Sequence, residues 1–243
     1  LKPQTAVISY SLRRSERAKN TRIVVRHDKI EVVALPHVSE QKIKAFVTAQ
    51  QDWIKAALLR VGEKNRAIAS LAPAHYADGV TVPYQGRQLL LQVKLAAGRT
   101  PRIELQMEAG FIVYLPVGME PQQSSAIIRQ ILTRWMKNQA RQQAVLLIEK
   151  HAARFQLVPR SLKIKTQKSR WGSCGPNNDI NLNWLLMLAP PIVLEYVVVH
   201  ELCHIRHKNH SRDFWSLVAQ HQPDYQLQRH WLKQHGASLM RGL

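Results

Sequence analysis

The chain has little cysteine: in 243 residues there are two, Cys174 and Cys203. A pair is too few for a disulfide framework, which excludes a small cross-linked secreted scaffold and fits a reducing compartment. Long apolar runs are missing as well. No window approaches the roughly 18 consecutive apolar residues of a membrane-spanning helix, and the first 30 residues hold many Arg and Lys but no apolar leader stretch. The expected setting is the cytoplasm, with no membrane partner. Internal repeats and low-complexity tracts are also absent, so the sequence is that of a folded globular chain.

Acid is the scarcest charge. There are 16 Asp and Glu against 35 Lys and Arg, a formal net charge of +19. That excess attracts polyanions over long range, so nucleic acid, nucleotides and acidic proteins are expected partners of a basic surface. Part of it gathers early, at Arg13, Arg14, Arg17, Lys19, Arg22 and Arg26. The cluster reads either as an anion-binding face or as a solvated strand face.

A hydrophobic content of 45% suffices for one substantial core or two modest ones. Strand-like segments at 6–12, 22–26 and 30–35 lead the chain, with His27-Asp28-Lys29 as a hairpin turn. A long helix follows, with Ser39 as N-cap, Val38 and Ile43 as a hydrophobic staple, and an apolar stripe running to Val61. Further strands are expected at 80–83, 87–95, 102–107 and 111–115. Pro116 to Pro121 reads as a hinge before a second long helix over about 122–156, where His151 sits on the apolar stripe as a packed core histidine. Strand-like pieces at 161–167 and 179–185 bracket a Gly/Asn-rich loop at 171–178. This order fits an α+β fold in which a strand-rich subdomain, 1–118, packs on a helical subdomain, 119–243.

Chemistry enters at His200-Glu201-Leu202-Cys203-His204, inside an apolar run begun by Ala189-Pro190-Pro191. Proline is tolerated in the first turn of a helix. On that helix His200 and His204 share a face, so both rings can reach one ion while Glu201 projects beside it as general base, the pattern of a Zn2+ hydrolase. Cys203 falls off that face and reads as packing. A catalytic zinc takes three protein ligands and keeps a fourth position open. His207 would stay on a straight helix without the bend needed to converge. His210 follows Lys208-Asn209, where Asn suits a left-handed helix end, and precedes Ser211, a cap for a helix over 212–220. The spacing His200, His204, His210 equals that of HExxHxxGxxH, with His207 in the place of the glycine. His221 and Asp224 remain open as third ligands. Arg170, His207, His221 and Tyr225 are candidates for stabilising a transition-state oxyanion.

Ser169-Arg170-Trp171-Gly172-Ser173-Cys174, then Ile180-Asn181-Leu182-Asn183, Tyr196 to His204, Asn209-His210-Ser211 and Phe214-Trp215 resemble the YgjP-like metallopeptidase family. Its members are zincins, predicted metal-dependent hydrolases related to the SprT and WLM groups. The likeness extends to Arg13-Arg14-Ser15-Arg17-Ala18-Lys19 and Trp53-Ile54, and so to nearly the whole chain. It implies a zincin-like helical subdomain, zinc ligation by His200, His204 and His210, and Glu201 as catalytic acid/base. Arg170 and Trp171 become expected walls of a substrate cleft. The resemblance makes a peptide or protein the first expected substrate. Hydrolysis of a nucleoside triphosphate such as UTP to release pyrophosphate is the alternative, and a nucleic-acid or protein-binding module the third.

Overall fold

The computed structural model describes residues 8–26, 29–67, 70–106, 108–119 and 121–243. The chain divides into two units, Leu1–Ala69 and Ser70–Leu243. Among the described residues there are six helices and three small sheets, an α+β fold. No helix among them is long and apolar enough to cross a membrane.

In the first unit, β1 (Ser11–Arg14), β2 (Arg22–Val25) and β3 (Ile30–Ala34) form a sheet in the order β1-β3-β2. The central strand reads IEVVA, and Val32, Val33 and Ala34 are fully buried in it. The turn expected between β2 and β3 lies partly outside the described residues, but the antiparallel pairing it would join is present. Ser39 accepts the Lys42 N–H and so caps α1 (Glu40–Ala49), whose Ile43 and Val47 meet Ile54 of α2 (Gln51–Ala67) in one cluster. The single helix expected here is two. At Gln50 the backbone opens to φ −100°, ψ 13°, and the Thr48 hydroxyl donates back to the Lys44 carbonyl, a local bond that bends helices. Two cations of the early basic run serve their own fold: Arg13 pairs with Glu31 at 3.4 Å, and the Arg14 guanidinium donates to the carbonyls of Leu35 and Val38.

The second unit holds β4 (Thr81–Tyr84), β5 (Arg87–Ala96), β6 (Arg102–Gln106) and β7 (Gly110–Pro116), ordered β4-β5-β7-β6 with β5 and β7 parallel. Next come α3 (Pro121–Phe155), β8 (Ser161–Lys165), β9 (Gly172–Cys174), β10 (Asp179–Asn183) and a buried 3-10 turn at Trp184–Leu188. The chain ends in α4 (Pro191–Arg206), α5 (Arg212–His221) and α6 (Tyr225–Leu239). Along α3, Ile128, Leu132, Met136, Ala140 and Ala144 repeat every fourth residue and are buried on one stripe.

The division differs from the one expected near residue 118. Val82, Tyr84, Leu91, Phe111 and Val113 of β4, β5 and β7 lie in the same core as α3 and α4. Phe111 sits edge-on to Trp135 of α3 at 5.2 Å and to Tyr84 at 5.6 Å. The expected hinge from Pro116 to Pro121 therefore joins two elements of one core.

Gly110 enters β7 at φ +90°, and a Cβ there would stand 2.2 Å from the Leu90 carbonyl oxygen. Gly110→Ala is expected to destabilise this unit by about 1–3 kcal/mol, since backbone cannot swing aside as a side chain can. Urea titration of the two proteins reads the difference.

The segment expected as a loop at 171–178 begins as a strand. Trp171 O accepts from Asn183 N, Ser173 stands opposite Asn181, and Gly175 N donates to Asp179 O, with Asn178 at φ 62° closing the turn. Buried Asn183 ties down the preceding stretch, donating to the carbonyls of Gln167 at 2.8 Å and Arg170 at 3.2 Å. Both connections carry β9 across α4, where the chemistry-bearing side chains are.

Candidate metal centre

Helix α4 is apolar on nearly every side: Val193, Leu194, Val197, Val198, Val199, Leu202 and Cys203 are all buried. Such a helix belongs inside a core, so its few polar positions mark an opening. Tyr196, His200 and His204 follow one another at four-residue intervals and share one face.

Helix α4 ends sooner than expected. It stops at Arg206, and His207 turns extended at φ −119°, ψ 103°, its N–H donating to Cys203 O. Asn209 is not left-handed. The extended residue sends its carbonyl back to His204 Nδ1, 2.9 Å away. A carbonyl only accepts, so Nδ1 carries the proton and neutral His204 keeps its Nε2 lone pair free. His207 thus supports a ligand through its backbone. Lys208 fastens the same turn to the β9–β10 loop by donating to Asn178 Oδ1 at 2.7 Å.

Ser211 then accepts the Phe214 N–H and caps α5, one residue past His210. Phe214 is fully buried and lies under the three rings: stacked on His204 at 4.5 Å, and edge-on to His200 at 5.0 Å and His210 at 4.9 Å. Trp215 stacks on His210 at 5.6 Å.

One nitrogen each from His200, His204 and His210 lies within 4.8 Å of the others. His210 Nε2 and His200 Nε2 are 3.1 Å apart. A tetrahedral ion with metal–nitrogen bonds of about 2.0–2.1 Å spaces its nitrogens roughly 3.3 Å apart, so the cluster has the size of a metal site. Burial, with the neighbouring His204 and His210, pushes the His200 pKa down to about 3, and burial also lowers that of His204. Both rings are neutral, the form that ligates. The donor set fits a divalent ion such as zinc.

Glu201 is 5% exposed. Burial raises its pKa to about 8, against the lowering effects of the Cys174 backbone N–H bonded to it and the charge of Arg170. Its position depends on Gly172 of β9: a Cβ there would meet Glu201 Oε1 at 2.5 Å, Cγ at 2.7 Å and Cδ at 2.9 Å.

A cavity of about 820 Å³ opens over Glu201 and His200. Trp171, Gly172 and Tyr196 line one side, and Gln226, Arg229, His230 and Lys233 of α6 line another. Of the residues expected from sequence, Trp171 thus walls the cleft, while Arg170 acts on Glu201 through charge and is not among the lining residues. His221 lies apart: it is buried, 3.1 Å from His151 Nδ1, in a cluster that runs on to Glu195. Asp224 is exposed at the start of α6, and Tyr225 stacks between Trp215 and Tyr196. The α6 wall was not foreseen, although positions 226, 229, 230 and 233 stand at the i, i+3, i+4, i+7 spacing of a single helix face.

No curated protein compared with the chain matches it. Residues 19–235 match the family described as YgjP-like, metallopeptidase domain.

Proposed function

The chain belongs to the YgjP-like metallopeptidase family, a grouping of metal-dependent hydrolases, and on that premise we propose that it is a zinc-dependent peptidase. The observation that carries the reading is the convergence of His200, His204 and His210 within 4.8 Å beside a buried carboxylate. Three imidazole nitrogens suit zinc better than the hard cations magnesium and calcium, which prefer oxygen.

Zinc held by His200, His204 and His210 would supply Lewis acidity toward a substrate carbonyl and would acidify water. The chain's own groups do the rest. The three rings present neutral nitrogens, one of them fixed in its tautomer by the His207 carbonyl. In its ionised form Glu201 accepts a proton from the attacking water and returns it to the departing amine. Gly172 and the Cys174 N–H hold that carboxylate in place. The walls at Trp171 and Tyr196 offer apolar surface for substrate side chains.

A triphosphate substrate is disfavoured by the same cavity. Among the described residues Glu201 is its only carboxylate, so no acidic pair stands ready to hold Mg²⁺ beside phosphates. Parallel assays of peptide and UTP hydrolysis separate the two, and peptide turnover is the expected result. His210→Ala is expected to lower bound zinc from about one per chain to a small fraction, read by metal analysis after dialysis. Full zinc retention in that variant would remove His210 from the ligand set.

A further inference from the structure

We infer that the α6 wall of the cavity selects peptides that carry a carboxylate close to the cleaved bond, with Arg229 as its anchor and Lys233 as a second cation. The inference rests on the peptidase reading and adds the substrate class.

Gln226, Arg229, His230 and Lys233 form one face of α6, and that whole face lines the cavity holding His200 and Glu201. On the adjoining face Tyr225, Gly236 and Leu239 are buried, so the orientation of the helix is fixed by packing. The wall carries cations and no acid. Glu201, the lone carboxylate in the cavity, is committed to the Cys174 N–H. Neither Arg229 nor Lys233 is in an ion pair among the described residues, whose pairs lie elsewhere.

In a chain of net charge +19 exposed cations are common. Arg229 differs because its head is held. Its guanidinium carbon lies 4.6 Å from the centre of the Trp215 ring, and that ring stacks on Tyr225 at 5.2 Å and on His210 at 5.6 Å. The stack ties the position of the charge to the proposed ligand set. A guanidinium whose carbon lies over the indole keeps N–H donors for a carboxylate, and its planar fork suits bidentate pairing. A peptide carboxylate has two sources, the chain's own C-terminus and an Asp or Glu side chain, and the recognising chemistry is the same.

Fluorescent pentapeptides test this in four forms: free or amidated C-terminus, each with Glu or Gln beside the central bond. Binding is read by anisotropy and cleavage by mass spectrometry with zinc present. The proteins are wild type, Arg229→Gln, Arg229→Lys, Lys233→Gln, and Lys94→Gln as an exposed charge-loss control on β5. Wild type is expected to bind carboxylate-bearing forms roughly tenfold or more tighter than the fully neutral one, the scale of a charge-assisted hydrogen-bonded pair. Arg229→Gln erases that preference, Arg229→Lys keeps part of it, and Lys94→Gln keeps all of it. The amide and Gln arms identify which carboxylate is read.

Equal affinities across the set, a preference that survives Arg229→Gln, or one lost equally in Lys94→Gln would overturn the proposal. Arg229-dependent binding of UTP without any carboxylate preference among the peptides would also overturn it, in favour of a nucleotide. Arg229-dependent peptide binding without cleavage leaves the anion site standing and removes the peptidase reading. Cleavage indifferent to charge does the reverse.

Discussion

Glu201→Gln is expected to lower kcat by about 10²–10⁴-fold, the usual contribution of a positioned general base, with bound metal at the wild-type level. The change is nearly isosteric. Gln keeps an oxygen for the Cys174 N–H and the same length of side chain against Gly172, so the surroundings have no reason to rearrange. What disappears is the ability to take and return a proton. Stability should hold or rise, because folding buries and protonates a carboxylate that is ionised in the unfolded chain at neutral pH, a cost the amide does not carry. The result to look for is a folded, metal-loaded protein with almost no turnover. Activity within about threefold of wild type would assign the proton transfer to another group, since losses of that size lie below the usual effect of removing a general base.

Gly172→Ala comes second. The added methyl would have to share space with three atoms of Glu201, the nearest 2.5 Å away. An exposed carboxylate would rotate out of reach, but this one is 5% exposed. Either the carboxylate shifts or β9 lifts away from α4. A displacement on the scale of 1 Å in a catalytic group costs about 100-fold in rate, and overpacking of this kind costs about 1–3 kcal/mol of stability. Zinc content should be unchanged, since none of the three histidines touches Gly172 in the clash. In the double variant with Glu201→Gln the rate losses should not add, because both act on one carboxylate. Wild-type activity in Gly172→Ala would mean that β9 does not set the position of Glu201.

The parts of the site legible in the sequence are those governed by local spacing. His200 and His204 follow from helical periodicity, Ser211 from capping chemistry, and His210 from its place between a helix end and a cap. The proline-started apolar helix was equally plain. The manner in which α4 ends was not, because an extended His207 satisfies its backbone through a ring nitrogen of His204 rather than through a left-handed Asn209. Long-range contacts were out of reach. The fit of Gly172 to Glu201 joins positions 29 residues apart in the chain, and a glycine in a Gly/Asn-rich stretch reads first as a turn. The same holds for β9, whose pairing with β10 overrides the loop propensity of its sequence. The division into units follows contacts of the same long-range kind: composition shifts from strand to helix near Pro116, yet the side chains of β4 to β7 find their apolar partners on α3.

The burial of α4 has a thermodynamic consequence for the ion. In small metal-folded domains the free energy of metal binding is the free energy of folding, and chelators unfold them. Here two of the three proposed donors ride on a helix held by Val193, Leu194, Val198, Val199 and Leu202, all buried in the core, and the third is set by Phe214 beneath it. Apolar packing of that kind does not itself need an ion, so the affinity of the site is expected to lose little to the entropy of assembling it. Chelation should leave a folded protein whose thermal midpoint falls only by the mass-action increment of one lost ligand. A protein that stays folded through chelation would exchange an ion without passing through an unfolded state.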